Sequence, residues 1–434
     1  MGTPVGGNQV FEGKSNFGRC GDVASLADDN DFSGLGLFPR KQPINRKFEY
    51  SPDALGWRWL ILCLFALNLC TAVMSPSQIV SVSFQPLNLP LLEPFAIATG
   101  AQYKVENVVV QVRLADGTTG LGEAAPFPAV SGETQESTLA VLQELEAYLL
   151  QKDVKNWRSL ATSLAGLASE APAARCGLEM AILDALCKHY HMPLYVFFGG
   201  VKTQLKTDLT ITAGDEAHAA ASARSIIERG FSVIKVKTEG TDVDYDLRRL
   251  RAIHHAAPNA NLIVDGNCGY DIERARDFVH KAKEAQIPII LLEQPLPRNN
   301  WEDLALLATN CPFPIAADES ARSAEDVARL YKDQSASVVN IKLMKCGVLE
   351  ALQMATLAQV HGLGLMIGGM VESILAMTFS AHFAAGLGGF DYIDLDIPLF
   401  IAEHPFTGGF QQEGENLTLS PEIAGHGVSL PDLL

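Results

Sequence analysis

The stretch from Ile234 to Lys342 most constrains what this chain can fold into, because one pattern recurs along it. A short apolar run ends in an ionisable residue, and a turn and a helix-like segment lead to the next run. The runs close on Lys235 and Lys237, then on Asp265, Glu293, Asp318 and Lys342. From Lys237 onward the spacings are 28, 28, 25 and 24 residues. Runs this short and apolar read as strands buried on both faces, and the roughly 15–20 residues between them suit crossover helices. The pattern predicts an α/β fold, a modified (β/α) barrel of the TIM type. Its ionisable residues then gather at the C-terminal rim, where such barrels assemble active sites.

The length of 434 residues leaves room for two domains and a large core. A net charge of −17 without a basic run excludes nucleic acid and anionic lipid surfaces as partners. The eight cysteines are scattered, with no Cys-x-x-Cys pair. They read as small core hydrophobes in a reducing compartment, not as a disulfide framework or a zinc site.

Residues 1–56 are rich in Gly, Asn, Asp, Ser and Pro without periodicity and are expected to be disordered. In the apolar segment 57–75, Trp59 to Ser75 carries no charge over 17 residues, the lower limit for a membrane span. Two readings stand side by side. The segment is a membrane span or a cleaved signal, or it is dispensable and the globular part starts near Met74. A soluble, cytoplasmic catalytic part is the favoured expectation, with a membrane-anchored or secreted chain as the alternative.

Residues 78–200 are expected to form an α+β capping domain. Ile79–Phe84 and Val105–Leu114 alternate like strands, Asp116-Gly117 turns the chain, and Gly120-Leu121-Gly122-Glu123 resumes the sheet. Leu139, Leu142, Leu145 and Leu149 keep helical spacing behind the capping pair Thr134 and Ser137, and Ala173–Tyr190 is again helical. The barrel is expected over 205–400, starting at Asp208–Ile211. Gly364–Gly369 supplies its seventh strand, and Tyr392–Asp396 its eighth. A period of two sets Asp394 and Asp396 on one face of that strand. A late strand at Asn416–Leu419 is expected to return to the first domain, which residues 410–434 complete.

Asp265, Glu293 and Asp318 end three consecutive strands, so their carboxylates converge and repel unless a cation neutralises them. Oxygen-only ligation without His or Cys favours one Mg²⁺, with Mn²⁺ as a substitute, over zinc. Read singly, each acid could cap a helix; three in register favour the metal. Glu319 is either a partner behind the ligands or a solvated loop acid. Lys235 and Lys237 point inward with the acids, and Lys342, four strands on, sits on the opposite wall. Two such lysines can remove a proton from one face of a substrate and return one to the other. Lys345, next to the Gly347 turn, reads as a surface or helix-start residue. The histidines lack metal spacing, Gly120-Leu121-Gly122 lacks the third glycine of a dinucleotide fingerprint, and no Ser-His-Asp set is visible.

Several motifs together resemble the enolase superfamily, in its muconate-cycloisomerase-like branch, over about residues 78–430. They are Gly120 to Ala124, Ala181 to Ala185, Pro193-Leu194-Tyr195 before Gly199-Gly200, Lys235-Val236-Lys237, Asp265-Gly266-Asn267, Glu293-Gln294-Pro295, Asp318-Glu319-Ser320 and Ile341-Lys342. The resemblance implies a capping domain over the barrel, one essential Mg²⁺ per subunit, and abstraction of a proton α to a carboxylate to give an enediolate. It makes Lys237 and Lys342 the two bases and sets Lys235 near the substrate carboxylate, with Asn267 and Glu319 supporting the metal ligands. Asp394-Leu395-Asp396-Ile397-Pro398 is similar to the dipeptide epimerases, whose Asp-x-Asp holds the dipeptide ammonium. Gly368 to Ser373 matches their Gly-x-Met-x-Glu-Ser stretch, which brings Gly368 and Met370 to the substrate. The departure is the loop Glu93 to Lys104, which lacks the arginine of epimerases acting on Ala-Glu. The resemblance thus implies epimerisation of the C-terminal residue of an L-Ala-type dipeptide by two-base 1,1-proton transfer; without that arginine, an apolar or small second residue stands beside a glutamyl one as the alternative. A homo-oligomer is compatible with it. The alternatives are a cycloisomerase, an o-succinylbenzoate synthase, or a tethered binding protein that has lost catalysis.

Overall fold

The computed structural model describes residues 74–431, apart from 98, 99 and 213. The expectations for residues 1–56 and for the apolar segment up to residue 73 fall outside the described residues. Among the described residues, no helix is long and apolar enough to cross a membrane.

Three antiparallel strands come first: β1 (Ile79–Ile97), β2 (Gly100–Leu114) and β3 (Thr119–Ala124), paired in that order. The β2–β3 turn is set by Asp116, whose carboxylate accepts the Thr118 N–H at 2.8 Å, and by Gly117 at φ 92°. Helix α1 (Gln135–Leu149) starts in a capping box between Thr134 and Ser137 and buries Leu142, Leu145 and Leu149. Helices α2 (Trp157–Leu167) and α3 (Pro172–His189) follow. Helix α3 lies so close to β3 that glycine is required there. A Cβ on Gly120 would sit 2.1 Å from the Ala181 carbonyl oxygen, and one on Gly122 2.1 Å from that of Gly177.

A short strand, β4 (Gln204–Lys206), leads into eight parallel strands: β5 (Leu209–Ile211), β6 (Val233–Lys237), β7 (Asn261–Asp265), β8 (Ile289–Glu293), β9 (Ile315–Ala317), β10 (Val338–Ile341), β11 (Gly364–Ile367) and β12 (Phe390–Ile393). Neighbours in sequence are neighbours in the sheet. Helices connect them; α4 (Glu216–Glu228), α5 (Val243–Ala256), α6 (Ile272–Glu284) and α8 (Ala324–Asp333) are each N-capped by Asp or Ser, with α7 (Trp301–Asn310) between the last two. Helices α9 (Val348–Val360) and α10 (Ile374–Leu387) close the series.

The period of two divides the barrel strands cleanly. Ile263, Leu291, Ala316, Val338 and Met366 form a separate inner cluster, while Ile234, Val264, Leu292, Val339 and Leu365 belong to the main core beneath the helices. One step further along the inward register stand Lys237, Asp265, Glu293, Asp318, Asn340 and Gly368. The inner apolar cluster therefore plugs the barrel and forms the floor of a polar layer.

The first and last strands meet along a seam without a regular ladder. There the Asp208 N–H donates to the Ile393 carbonyl at 3.0 Å, Leu395 N–H to Thr207 Oγ1 at 2.9 Å, and Thr210 N–H to Asp396 Oδ2 at 2.7 Å. The late strand Asn416–Thr418 pairs with β4, not with the first sheet. It is Gly425 and His426, further on, that reach Met192, Leu194, Leu121 and Asp184.

Candidate active site

Lys235, Lys237, Asp265, Glu293, Asp318 and Lys342 are all buried at the C-terminal rim. Each of the three acids is held in the same way, with one oxygen pinned from outside and the other turned toward a lysine. Asp265 Oδ1 accepts the Asn267 N–H at 3.0 Å, and its Oδ2 lies 3.1 Å from Lys237 Nζ and 3.2 Å from Lys235 Nζ. Glu293 Oε1 accepts from Asn340 Nδ2 at 2.7 Å. Its Oε2 lies 2.7 Å from Lys235 Nζ but out of line for a hydrogen bond. Asp318 Oδ1 accepts from Lys345 Nζ at 2.6 Å, and its Oδ2 lies 2.7 Å from Lys342 Nζ.

Local backbone geometry supports this set. Asn267, Cys268 and Gln294 have positive φ, which bends the chain as it leaves β7 and β8. Gln294 then ties the loops together: its Oε1 accepts from Asp318 N and Ser320 N, and its Nε2 donates to Leu296 O and Ser320 Oγ. Asn267 Oδ1 accepts from Lys237 Nζ at 3.3 Å. Gly368 gives Lys342 its room, since a Cβ there would lie 3.1 Å from Lys342 Cε and 3.0 Å from Asn340 Oδ1.

Three residues were not anticipated in their observed roles. Lys345 is not at the surface. The 3₁₀ turn Leu343–Lys345 folds it back under β9, where its buried ammonium bonds Asp318 Oδ1, the Asp318 carbonyl and the Asn340 carbonyl. Asn340 shows the alternation that should have marked it, two residues before Lys342 on an inward face. Asp208 stands two residues before Thr210 in the inward register of β5. One of its oxygens and one each from Asp394 and Asp396 lie within 4.8 Å of one another.

Asp394 and Asp396 are not equivalent. Asp394 borders the cavity and accepts from Lys235 Nζ at 2.6 Å. Asp396 is wholly buried behind it, on Thr210 N–H, because the chain has left the strand and the period of two no longer applies. The remaining walls of the cavity include Phe127, Val130, Met370 and Ile397, with Glu319 beside Asp318. Glu319 Oε2 is buried without a partner. A larger groove bounded by Cys311, Tyr331 and His361 lies at the opposite, N-terminal ends of the strands and contains none of these groups.

Seven carboxyls (Asp208, Asp265, Glu293, Asp318, Glu319, Asp394 and Asp396) face four lysines here. Burial would raise Asp265, but Lys237 and Lys235 outweigh it and hold its carboxyl at about 2. Burial likewise opposes ionisation of Asp318, which Lys342 and Lys345 keep well below the usual carboxylate range. Glu293 is pushed up to about 7 by burial and Asp265, and Glu319 to about 8 by burial and Asp318. Burial acts to lower Lys235 and Lys342, yet the facing acids lift both above the ordinary lysine range: Asp394 and Glu293 for Lys235, Asp318 for Lys342.

The donor set fits a hard dication. It is oxygen-only, each acid keeps a single inward oxygen, and Glu293 Oε2 and Glu319 Oε2 lack hydrogen bonds that a cation would make unnecessary. The Asp208–Asp394–Asp396 group suits an ammonium better, since Lys235 and a backbone N–H already occupy two of its carboxylates.

Comparison with known proteins agrees with this geometry. Residues 79–199 match the mandelate racemase/muconate lactonizing enzyme N-terminal domain, and residues 218–433 the enolase C-terminal domain-like family. The chain is 64% identical over 355 residues to an aromatic dipeptide epimerase of Herpetosiphon aurantiacus, covering 82% of this chain and 99% of that one. It is 35% identical to an L-Ala-D/L-Glu epimerase of Thermotoga maritima, covering 80% and 100% of the two. A crystal structure of the dipeptide epimerase from Enterococcus faecalis V583, complexed with Mg and L-Leu-L-Tyr, superposes with a TM-score of 0.78. It is 30% identical and covers 81% of this chain and 99% of that one. The chain belongs to the enolase superfamily, in its mandelate racemase/muconate lactonizing enzyme group.

Proposed function

We propose that this chain is a Mg²⁺-dependent dipeptide epimerase that inverts the α-carbon of the C-terminal residue. The observation that carries the proposal is two lysines on opposite walls of the barrel, Lys237 on β6 and Lys342 after β10, around three carboxylates that each turn one oxygen inward.

Asp265, Glu293 and Asp318 would hold the ion, with Asn267, Asn340 and Lys345 fixing their outer oxygens. When bound, Mg²⁺ supplies positive charge to the substrate carboxylate and so stabilises the charge that develops as the α-proton leaves. Lys235 reaches the cavity between the two acid groups, where its ammonium pairs with the same carboxylate. One lysine, neutral in the reacting form, takes the α-proton, so a C–H bond breaks and an N–H bond forms. The other, protonated, gives a proton to the opposite face, and the roles exchange in the reverse direction. Asp318 holds Lys342 as a cation in the protein alone. Asp318, when shared with the ion, would hold Lys342 less firmly as a cation and so leave it nearer the range of a base.

Asp394 borders the far side of the cavity and receives the N-terminal ammonium, with Asp396 behind it. A dianionic cycloisomerase or o-succinylbenzoate synthase substrate would be repelled there, and a binding protein without catalysis would not need both lysines. The apolar wall of Phe127, Val130, Met370 and Ile397 supports an apolar or aromatic second residue. Among the described residues bordering the cavity the cations are all lysines, with no arginine for a glutamyl side chain. The aromatic dipeptide epimerase among the relatives supports the same preference.

The test is α-proton exchange and epimerisation of L-Ala-L-Phe, L-Ala-L-Tyr and L-Ala-L-Glu in D₂O, each free and N-acetylated. Free aromatic dipeptides should lead. Acetylation should lower kcat/KM by about 10–200-fold, the worth of a charge-assisted bond of about 1.5–3 kcal/mol. Equal turnover of free and acetylated dipeptides would show that no ammonium site exists.

A further inference from the structure

The part that Asp208 plays is not explained by the chemistry above. Its side chain is buried, and neither carboxyl oxygen has a hydrogen-bond partner. It is not remote from the site, because one of its oxygens and one each from Asp394 and Asp396 all lie within 4.8 Å of one another. The donors around this trio are unequally shared. Asp394 Oδ2 takes the Lys235 ammonium at 2.6 Å, Asp396 Oδ2 takes the Thr210 N–H at 2.7 Å, and Asp208 takes nothing. Asp396 Oδ1 is also buried without a partner.

Three carboxylates this close cannot all stay ionised beside one ammonium, least of all one that Asp265 and Glu293 also share. A proton settles on the member with no donor to stabilise its anion, which is Asp208. A protonated Asp208 gains a donor of its own, and Asp396 Oδ1 is a buried acceptor without a partner in the same trio. Two otherwise orphaned groups are then satisfied together.

We propose that Asp208 holds a proton while the cavity is free of substrate and releases it to solvent as the dipeptide ammonium arrives at Asp394. The inference rests on the dipeptide reading above and adds a device to it: one positive charge replaces another in the acid trio. The Asp208 O–H bond breaks, the proton goes to buffer, and the incoming ammonium restores the balance. An N-acetylated peptide brings no charge and cannot displace the proton. Asp208 is thus a positioning residue, acting through Asp394 and Asp396 without touching the substrate. The charged groups facing it are Asp394 and Asp396 from the end of β12, Lys235 from β6 and Glu293 from β8. Burial first, then Asp394 and Asp396, push its carboxyl well above the usual range, which agrees with the geometry.

The test is calorimetric titration of the Mg²⁺-saturated enzyme near neutral pH, in two buffers of different ionisation enthalpy. The titrant is an already equilibrated mixture of both dipeptide epimers, so no net conversion contributes heat. The parent should release protons on binding, and its KM should fall by up to about tenfold per pH unit between roughly pH 6 and 7.5, below the titration of the dipeptide's own amine. Asp208→Asn should release about one proton fewer per site and flatten that dependence, and Asp208→Glu should restore the release. Infrared difference spectra of the parent give a second readout that needs no variant: a carboxylic-acid C=O band should be lost on adding free dipeptide and retained with the acetylated one. Unchanged proton release in a folded Asp208→Asn enzyme, or no loss of that band, overturns the inference. If free and acetylated dipeptides bind equally, the dipeptide reading itself falls. If the free one binds better but release is indifferent to Asp208, only the Asp208 assignment falls.

Discussion

Replacing Lys342 by alanine should separate the two duties of that residue. As a counter-ion, its ammonium lies 2.7 Å from Asp318 Oδ2 in a pair that is almost wholly buried. Removing one partner of a buried pair costs about 3–5 kcal/mol, because the other charge is left without its match. Lys345 stays on the second oxygen of the same carboxylate at 2.6 Å, so the lower end, about 3 kcal/mol, is expected in chelator. Added Mg²⁺ no longer competes with that ammonium for Oδ2, so the deficit should shrink in its presence. As a base, Lys342 should account for about 10²–10⁴-fold of the exchange rate at one face. Net epimerisation should stop in Lys342→Ala, yet α-proton exchange in D₂O, followed by proton NMR on each epimer separately, should persist from the epimer served by Lys237. Lys237→Ala should show the converse. Loss of exchange from the same epimer in both variants would refute the two-sided arrangement.

Exhaustive chelation should abolish turnover, and either Mg²⁺ or Mn²⁺ should restore it, since both accept an all-oxygen ligand set; full activity of the metal-free enzyme would contradict the ligand assignment. Asp184, which accepts from Leu121 N–H and His426 N–H and pairs with Lys188, is held at about 2 by His426 and Lys188 against the effect of burial. Its folded value lies below the unfolded one, so it contributes about 2–3 kcal/mol above pH ~4 that is lost as pH falls toward 2. Asp184→Asn should therefore be destabilised by about that much in denaturant melts at pH 7, with a gap that narrows at pH 3; a gap that widens on acidification would be inconsistent.

The barrel and its polar rim were legible because the signal there is redundant. Each strand from β6 to β10 carries an apolar run, an inward residue at its end and a helix after it, so period and spacing give the same placement for Lys237, Asp265, Glu293, Asp318 and Lys342. The α+β layer was legible for local reasons, through a turn at Asp116-Gly117 and a cap at Thr134, both of which act within a few residues. Lys345 illustrates the limit of such reasoning. Nothing between Lys342 and Gly347 distinguishes a helix start at the surface from a 3₁₀ turn that tucks an ammonium under the neighbouring strand. The three acceptors that settle the matter, two of them on Asp318, come from β9 and β10 and not from its own turn.

Asp208 was hidden for a different reason, which lies in how the barrel closes. The sequence pattern marks acids at the C-terminal ends of strands, and Asp208 precedes the N-terminal end of its own. Closing a sheet into a barrel staggers the strands, so level positions on the first and last strands are not equivalent in sequence. Here the stagger brings the residue before β5 level with the residue after β12, as the Asp208 N–H bond to the Ile393 carbonyl records. The seam lacks a full ladder and is laced by side chains, with Thr207 and Asp396 each accepting a backbone N–H from across it. Those same side chains gather the carboxyl groups. Asp396 therefore serves first as part of the closure, and only through Asp394 as part of the proposed ammonium site. Substituting Asp396 should consequently perturb barrel closure as well as KM, whereas substituting Asp394, which borders the cavity and makes no such backbone bond, should raise KM and cost stability only through its pair with Lys235, which Asp265 and Glu293 also hold.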